Sequence, residues 1–134
     1  MDNNQQSGNP LFPEKALHLE GRRFSVRAQL FENGLFVSVS EGGGRRPRIG
    51  SLAVSLAPRA GAMPVTTTVI PPRDQASAFL MRMAAEQASS RSGGIAVVSV
   101  YVAGGELDAR TSRALLGAVA EVVDHGKKGD AAGS

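Results

Sequence analysis

The sequence predicts an α+β fold: a two-layer domain whose mainly antiparallel sheet of about five strands carries two helices on one face, in the order ββββαβα. Three observations lead to this prediction. The first half of the chain contains four segments with the alternation or composition of strands. The second half contains two segments with helical spacing. A single apolar run separates those two segments.

Length and composition are those of one domain. The chain has 134 residues, of which 42% are hydrophobic and 4% aromatic, so its core must consist mainly of Ala, Val and Leu. Residues 1–14 lack periodicity and are rich in Asn, Gln, Gly and Pro, which predicts a disordered arm. Residues 127–134 predict a disordered tail, so the domain is expected to span residues 15–126.

Two strands and a hairpin open the predicted domain. From residue 23 onward apolar residues alternate with polar ones, as is typical of a half-buried strand: Phe24, Val26, Ala28 and Leu30. Asn33 and Gly34 then predict a turn, because both residues tolerate a positive φ. The alternation continues on a second strand through Leu35, Val37 and Val39, and it stops at the glycines of residues 42–44.

Two further strands are predicted before the first helix. Residues 49–57 alternate again and place Leu52, Val54 and Leu56 on one face. Residues 65–70 contain three consecutive threonines, whose β-branched side chains favour an extended backbone. Because short links join most of these four strands, the sequence predicts an antiparallel meander.

The spacing of apolar residues becomes helical after two prolines. Residues 74–90 contain neither Gly nor Pro and predict the first helix, with Asp74 in its first turn. Residues 95–102 are almost entirely apolar and predict a strand buried on both faces. Asp108 is the expected N-cap of a second helix over residues 109–125, which Gly126 would end.

Several function classes are excluded or disfavoured. The chain has no cysteine, which excludes disulfides, thiolate zinc sites, iron–sulfur clusters and a cysteine nucleophile. No apolar run approaches the roughly 20 residues of a membrane-spanning helix, and the first residues are polar, so we expect a cytoplasmic protein without membrane contact. His18 and His125 lie far apart in the predicted topology, and no metal-ligand spacing occurs. We therefore expect neither a metal site nor enzymatic activity.

A loop rich in glycine and arginine is the most unusual feature of the sequence. Between residues 42 and 73 the chain has five arginines and no acidic residue. Gly42 and Gly43 let the backbone turn N–H groups toward an anion, and Arg48 adds a guanidinium just before Ile49 and Gly50. These residues predict a phosphate-binding loop. A solvent-exposed basic hairpin tip has the same composition and is the structural alternative.

A second candidate segment joins the fourth strand to the first helix. Thr67 and Thr68 offer hydroxyl groups, and Arg73 and Asp74 stand at the helix start, whose free N–H groups favour an anion. The structural alternative is that threonine is a common strand residue and that the prolines end the strand. Tyr101, at the end of the last strand, either stacks on a planar ring or packs as a core residue.

Nucleic acid is not an expected partner, although the arginine-rich loop would suit phosphate groups. Base readout and single-strand binding rely on exposed aromatic side chains. The chain has only five Phe and one Tyr, and several of these face the core by their period.

Three stretches together resemble the small LpdD-like proteins: NGLFVSVSEGGGRRPRIGSLAVSLA, PVTTTVIPPRDQASAFLMRMAAEQA and GGIAVVSVYVAGGELDARTSRALLGAVAEVV. The likeness covers most of the predicted domain. It rests on the GG-x₄-IG loop, on the threonine-rich strand that ends in Pro before a helix, and on the apolar strand that leads to the last helix. Arg48, Arg73 and the Ala103–Gly104 region stand where the family pattern has histidines.

The resemblance implies a ligand and a partner. LpdD-like proteins are proposed chaperones of prenylated flavin mononucleotide (FMN) for UbiD-type decarboxylases, and their fold is similar to that of proteasome-assembly chaperones. The chain is therefore expected to bind prenylated FMN, or FMN, and to deliver it to a UbiD-type decarboxylase. The expected cofactor-binding residues are Gly42, Gly43, Arg48, Ile49, Gly50, Thr67, Thr68, Arg73, Asp74 and Tyr101.

The alternative function is a cofactor-free protein-assembly or interaction module of the proteasome-assembly-chaperone type. Arginines in place of the family histidines favour this alternative, whereas the acid-free basic loop favours the flavin carrier. Both functions allow a homodimer formed through an exposed sheet or helix surface.

Overall fold

The computed structural model describes residues 12–42, 44, 46–59 and 61–133, with side chains as far as Gly126. Within these residues, six strands and two helices follow one another, in the order β1 to β5, α1, β6, α2. Their bounds are β1 Glu14–Leu19, β2 Arg22–Phe31, β3 Gly34–Glu41, β4 Ser51–Leu56, β5 Val65–Ile70, α1 Gln75–Ser92, β6 Ile95–Tyr101 and α2 Ala109–Gly133.

The strands form one sheet in the order β1-β2-β3-β6-β4-β5, with both helices packed on one face. This confirms the predicted α+β fold. All neighbouring strands are antiparallel except β3 and β6, which are parallel. The predicted meander is wrong at one point, because β6 lies between β3 and β4. The chain reaches that position only after α1 has crossed the sheet.

The strand β1 is absent from the prediction. It pairs with β2 through a tight turn in which Glu20 and Gly21 both have positive φ, 54° and 76°. That geometry is the one favoured in two-residue hairpins. The strand begins at Glu14, so it takes up the last residue of the predicted arm, while residues 1–11 lie outside the described residues.

The β2–β3 hairpin is confirmed, but the reason for its glycine differs from the prediction. Phe31 pairs with Gly34, so Glu32 and Asn33 form the turn, and neither Asn33 nor Gly34 has a positive φ. A Cβ at Gly34 would collide with the backbone carbonyl oxygen of Ile95 on β6. The glycine therefore allows two parallel strands to meet closely at this end of the sheet.

The core lies between the helices and the helix-facing side of the sheet. Its largest fully buried side chains include Phe24 of β2, Leu80 and Met81 of α1, and Leu115 of α2. Small residues of β4 and β6, such as Ala53 and Ala96, let the helices approach the sheet. The aromatic-poor composition thus yields an Ala- and Val-rich core, as predicted.

The helix starts were predicted closely, whereas one helix end was not. Asp74 caps α1 by accepting a hydrogen bond from the Ser77 backbone N–H at 2.8 Å, and Asp108 caps α2 through Thr111 at 2.7 Å. Gly126 does not end α2, which continues to Gly133, so the predicted end near residue 125 is wrong.

Candidate functional site

Two neighbouring clefts lie at the end of the sheet where β3, β4 and β6 meet the β3–β4 loop. We call them the arginine cleft and the proline cleft, and each has a volume of about 340 Å³. The arginine cleft is lined by Glu14, Ser25, Arg27, Ser40, Glu41, Gly42, Gly44, Arg46, Pro47, Arg48, Tyr101 and Ala103. The proline cleft is lined by Ile49, Gly50, Ser51, Ile70, Pro71, Pro72, Arg73, Asp74, Ser77, Val100, Tyr101, Val102 and Ala103.

The topology explains why two clefts form here. Because β6 separates β3 from β4, the loop of residues 42–50 must pass across the end of β6 to connect them. The guanidinium of Arg48 consequently lies over the Tyr101 ring, 5.5 Å from its centroid, with Nη1 3.5 Å from the hydroxyl oxygen. This cation–π contact places the tyrosine on the boundary between the two clefts.

The sequence-predicted site residues are divided between the two adjoining clefts. Gly42 and Arg48 line the arginine cleft, whereas Ile49, Gly50, Arg73 and Asp74 line the proline cleft. Tyr101 lines both. The two arginines expected to share one phosphate therefore belong to different clefts. Thr67 and Thr68 line neither of the two, and Gly43 lies outside the described residues.

Three of the described backbone N–H groups of the loop are already engaged within the protein. The Arg48 N–H donates to Ser40 Oγ at 3.0 Å, and the Gly50 N–H donates to Ser99 Oγ at 3.1 Å. The Gly42 N–H donates to the Arg23 carbonyl at 2.9 Å. These three donors hold the loop against the sheet and are therefore not free to bind an anion.

Gly50 has a structural reason to be glycine. A Cβ there would collide with the carbonyl oxygen of Val100, and it would lie 2.7 Å from the Tyr101 Cα. The loop passes so close to β6 that no side chain fits. The glycine of the predicted Ile-Gly motif is therefore accounted for by packing.

The start of α1 is occupied by its own cap. Asp74 accepts from the Ser77 backbone N–H at 2.8 Å and from the Ser77 hydroxyl at 3.3 Å. The Asp74 carboxylate thus already accepts from one of the N–H groups that an anion could bind at this helix terminus. It also brings negative charge to the proline cleft. Arg73 is exposed beside it.

The residues of the arginine cleft that are missing from the sequence prediction include Ser25, Arg27 and Ser40 on β2 and β3. Ser25 pairs with Ser40 across β2 and β3, and Ser40 pairs with Tyr101 across β3 and β6. Their side chains therefore stand in one row on the sheet face opposite the helices. The polar positions of the β2 and β3 alternation were the available signal, but the place of β6 beside β3 was not evident.

A clamp of Arg22 and Glu41 borders the arginine cleft. The guanidinium makes two hydrogen bonds to the Glu41 carboxylate, at 2.8 and 2.9 Å, and further ones to the carbonyls of Gly104 and Glu106. The same carboxylate accepts from the Ala103 N–H at 3.0 Å. The Arg22 hydrogen bonds lower the pKa of Glu41 below its ordinary value of 4.5. Partial burial acts in the opposite direction and raises this pKa, whereas the hydrogen bond from Ala103 lowers it further.

The clamp predicts an acid-sensitive component of stability. Because the pKa of Glu41 is lower in the folded state, the stabilisation is complete above its ordinary value and is lost as the pH falls through the folded-state value. Glu41→Gln should lower the free energy of unfolding at neutral pH by about 1–2 kcal/mol and should flatten its decline toward acid pH. Urea unfolding across this range measures both effects. Glu86→Gln, which changes only an exposed helical pair with Arg82, should leave the decline intact.

The sheet face opposite the helices, which we call the open face, is apolar at one end. One row across five strands contains Phe31, Gly34, Ile95, Leu56 and Val65, and the next contains Gln29, Phe36, Val97, Val54 and Thr67. Five large apolar side chains of this face are strongly exposed: Phe31 48%, Ile95 39%, Leu56 51%, Val65 71% and Ile70 46%. The row nearest the clefts is instead polar.

The two histidines of the chain lie on different elements. His18 accepts a hydrogen bond from Arg23 at the edge of the sheet, whereas His125 lies on α2. Within the described ranges no group of three metal-ligating side chains occurs. No helix among them is long and apolar enough to cross a membrane.

A mainly apolar groove between the starts of α1 and α2, about 470 Å³, contains Phe79 and Leu116.

Comparison with known proteins identifies a shared fold. No family model matches the chain, and no curated protein matches it. The chain is similar to a solved structure of a chaperone complex for yeast 20S proteasome assembly, with a TM-score of 0.58 and 12% sequence identity. The match covers 82% of this chain and 96% of the other. At this identity the similarity concerns the fold, and it agrees with the proteasome-assembly-chaperone-like fold expected from the sequence.

Proposed function

We propose that the protein is a non-catalytic assembly module that acts as a homodimer joined through its open faces. The observation that carries this proposal is the apolar end of the open face. Leu56 and Val65 are more than half exposed there, Ile95 beside Leu56 is 39% exposed, and Phe31 farther along the same row is 48% exposed. Contiguous apolar surface of this kind, bordered by polar residues, is typical of protein–protein interfaces.

A second copy of the chain is the occupant that best fits this face. Two sheets pack face to face when their apolar side chains form a continuous surface over several strands, and here β2, β3, β6 and β4 each place at least one large apolar side chain on the open face. A two-fold axis brings the same patch of each copy together, so the apolar rows can meet each other. The polar row and the arginine cleft would then lie at the rim, where hydrated groups are tolerated.

The structural similarity supports the kind of role but not its target. The similar protein is a chaperone complex for proteasome assembly, and the fold is therefore one that a protein-assembly factor uses. With the open faces paired, the helices remain outward. The groove that contains Phe79 is then available to a client protein.

Sedimentation equilibrium of the full chain over a wide concentration range tests the proposal. We expect a mass twice that of the 13.9 kDa chain at micromolar concentration, with reversible dissociation on dilution. A mass of 13.9 kDa at every concentration would contradict the homodimer. A complex with a different protein through the same face would then be the remaining form of an assembly role.

A second candidate function is the delivery of prenylated FMN, or FMN, to a UbiD-type decarboxylase. Its support is that the arginine and proline clefts adjoin at Tyr101, so a ligand could lie across both with its ring against this side chain. In that arrangement Arg48 and Arg73 would each contact a different part of the ligand. Retention of FMN after desalting, and its loss in both Arg48→Gln and Arg73→Gln, are the expected results. No retention of FMN or prenylated FMN by the unmodified chain would refute this function.

A further inference from the structure

We propose that the arginine cleft by itself binds a phosphate group, free or as a monoester. This site differs from the predicted cradle, because it uses Ser25, Ser40 and Arg27 and does not use Arg73. It is independent of the assembly role and requires no flavin ring.

The charge balance of the cleft favours a dianion. Its two carboxylates already have cationic partners, since Glu14 lies 3.2 Å from Arg27 and Glu41 is bound by Arg22. Arg46 and Arg48 also line the cleft, and no ion pair joins either of them to a carboxylate among the described residues. Two positive charges are therefore in surplus, and guanidinium groups suit the paired oxygens of a phosphate.

Among the described residues of the cleft, two solvent-inaccessible polar atoms make no hydrogen bond, Ser25 Oγ and Arg27 Nε, and both can donate. Arg27 Nε lies 3.2 Å from a carboxylate oxygen of Glu14, in an ion pair that lacks hydrogen-bond geometry. The nearby Glu14 carboxylate thus neutralises the Arg27 charge without satisfying its Nε–H. Buried donors without acceptors are costly, so an oxyanion that reaches them gains affinity by relieving this cost.

Two further hydroxyl groups are oriented by the loop. Ser40 Oγ accepts from the Arg48 N–H, and the Tyr101 hydroxyl accepts from the Arg48 guanidinium. Each oxygen is thereby used as an acceptor, which leaves its hydrogen to donate. Ser25, Ser40 and Tyr101 are neighbours in one row, so their side chains lie on the same side of the sheet. A surface rich in donors and in positive charge suits an anion and disfavours a metal cation.

Isothermal titration of the full chain with sodium phosphate, against sodium chloride at equal ionic strength, tests the site. We expect saturable phosphate binding that is weakened at least about tenfold by Arg48→Gln and several-fold by Ser25→Ala. Arg59→Gln removes an exposed arginine of the β4–β5 connection, away from the cleft, and is the matched control. Circular dichroism and the thermal midpoint establish that each variant is folded.

The outcomes separate this proposal from the flavin carrier. Phosphate binding that is unaffected by Arg73→Gln supports the single-cleft site, whereas a loss comparable to that of Arg48→Gln overturns it. If FMN binds more tightly than inorganic phosphate, the ligand of the cleft is a phosphate monoester. If FMN and inorganic phosphate bind with equal affinity, the ligand is free phosphate. Absence of phosphate binding, or equal binding by the wild type and Arg48→Gln, overturns the proposal even if riboflavin binds.

Discussion

Gly50→Ala is expected to destabilise the protein by about 2–3 kcal/mol, a large effect for the addition of one methyl group. The new Cβ would collide with the backbone carbonyl of Val100, and backbone cannot move aside as the end of a side chain can. Moving the loop away from β6 instead would break the hydrogen bond from the Gly50 N–H to Ser99, a fully buried residue. The free energy of unfolding from urea titration measures the loss.

Gly44→Ala is the matched control for this change. Gly44 lies in the same loop, and the nearest atom to an added Cβ is 3.9 Å away. Its substitution should change the free energy of unfolding by less than about 0.5 kcal/mol. If both alanine variants were equally stable, the close passage of the loop over β6 would be wrong. If Gly50→Ala instead kept its stability and lost phosphate binding alone, Gly50 would be a ligand-binding residue as the sequence predicted.

Leu56→Lys should weaken the homodimer at least about a hundredfold. Leu56 lies in the apolar row between Ile95 and Val65, so dimerisation would force a lysine ammonium out of water and against apolar side chains. In the monomer the same side chain is half exposed, and the lysine can reach solvent without disturbing the fold. Sedimentation velocity gives the dissociation constant, and the unfolding midpoint of dilute protein checks the monomer.

Phe79→Lys provides the comparison on the other side of the molecule. Phe79 is 60% exposed on α1, which is packed on the opposite face of the sheet. The Phe79→Lys substitution should leave the dissociation constant of the dimer unchanged while removing the apolar side chain from the inter-helix groove. Equal weakening by both lysine variants would place the interface elsewhere or show that added charge acts non-specifically.

Local patterns were sufficient to predict most of the elements. The alternation from Phe24 to Leu30 and from Leu35 to Val39 gives two strands whose apolar side faces the helices, as expected. The order of the strands could not be obtained in this way. The insertion of β6 between β3 and β4 depends on contacts between residues far apart in the chain, such as Val37 with Val98 and Ala53 with Val98. Local spacing carries no information about such pairs.

The short strand β1 was missed for a different reason. Only Leu17 and Leu19 supply large apolar residues on its helix-facing side, so the alternation is too brief to be recognised. Its turn uses Glu20 and Gly21 in place of the more familiar Asn-Gly or Asp-Gly pairs.

Only part of the candidate site was predicted. Some of its residues stand out in the local sequence, whereas others depend on which strands are neighbours. Arg48 and Tyr101 stand out by composition, and the structure brings them together through the loop that crosses β6. Ser25 and Arg27 are ordinary residues of an alternating strand, and they become distinctive only when neighbouring strands and burial are known. Arg48 and Arg73 line adjoining clefts with Tyr101 at their boundary, so the expected partnership of the two arginines stays a prediction.

The open face thus combines two surfaces of different chemistry. Its apolar end, around Leu56 and Val65, suits a second copy of the chain, whereas its polar end forms the arginine cleft. The two proposals make separate predictions, because Leu56→Lys alters only the first surface and Ser25→Ala only the second.

Thiol protection on the open face is the most direct test of the homodimer. Since the chain has no cysteine, Ser38→Cys places a single thiol on the central strand β3, on the open face, and Ser90→Cys places one on α1 as a control. We predict that the reaction of Cys at position 38 with a maleimide slows at least about tenfold at protein concentrations that favour the dimer, while position 90 is unaffected. A rate at position 38 that is the same in dilute and concentrated protein would contradict pairing through the open face.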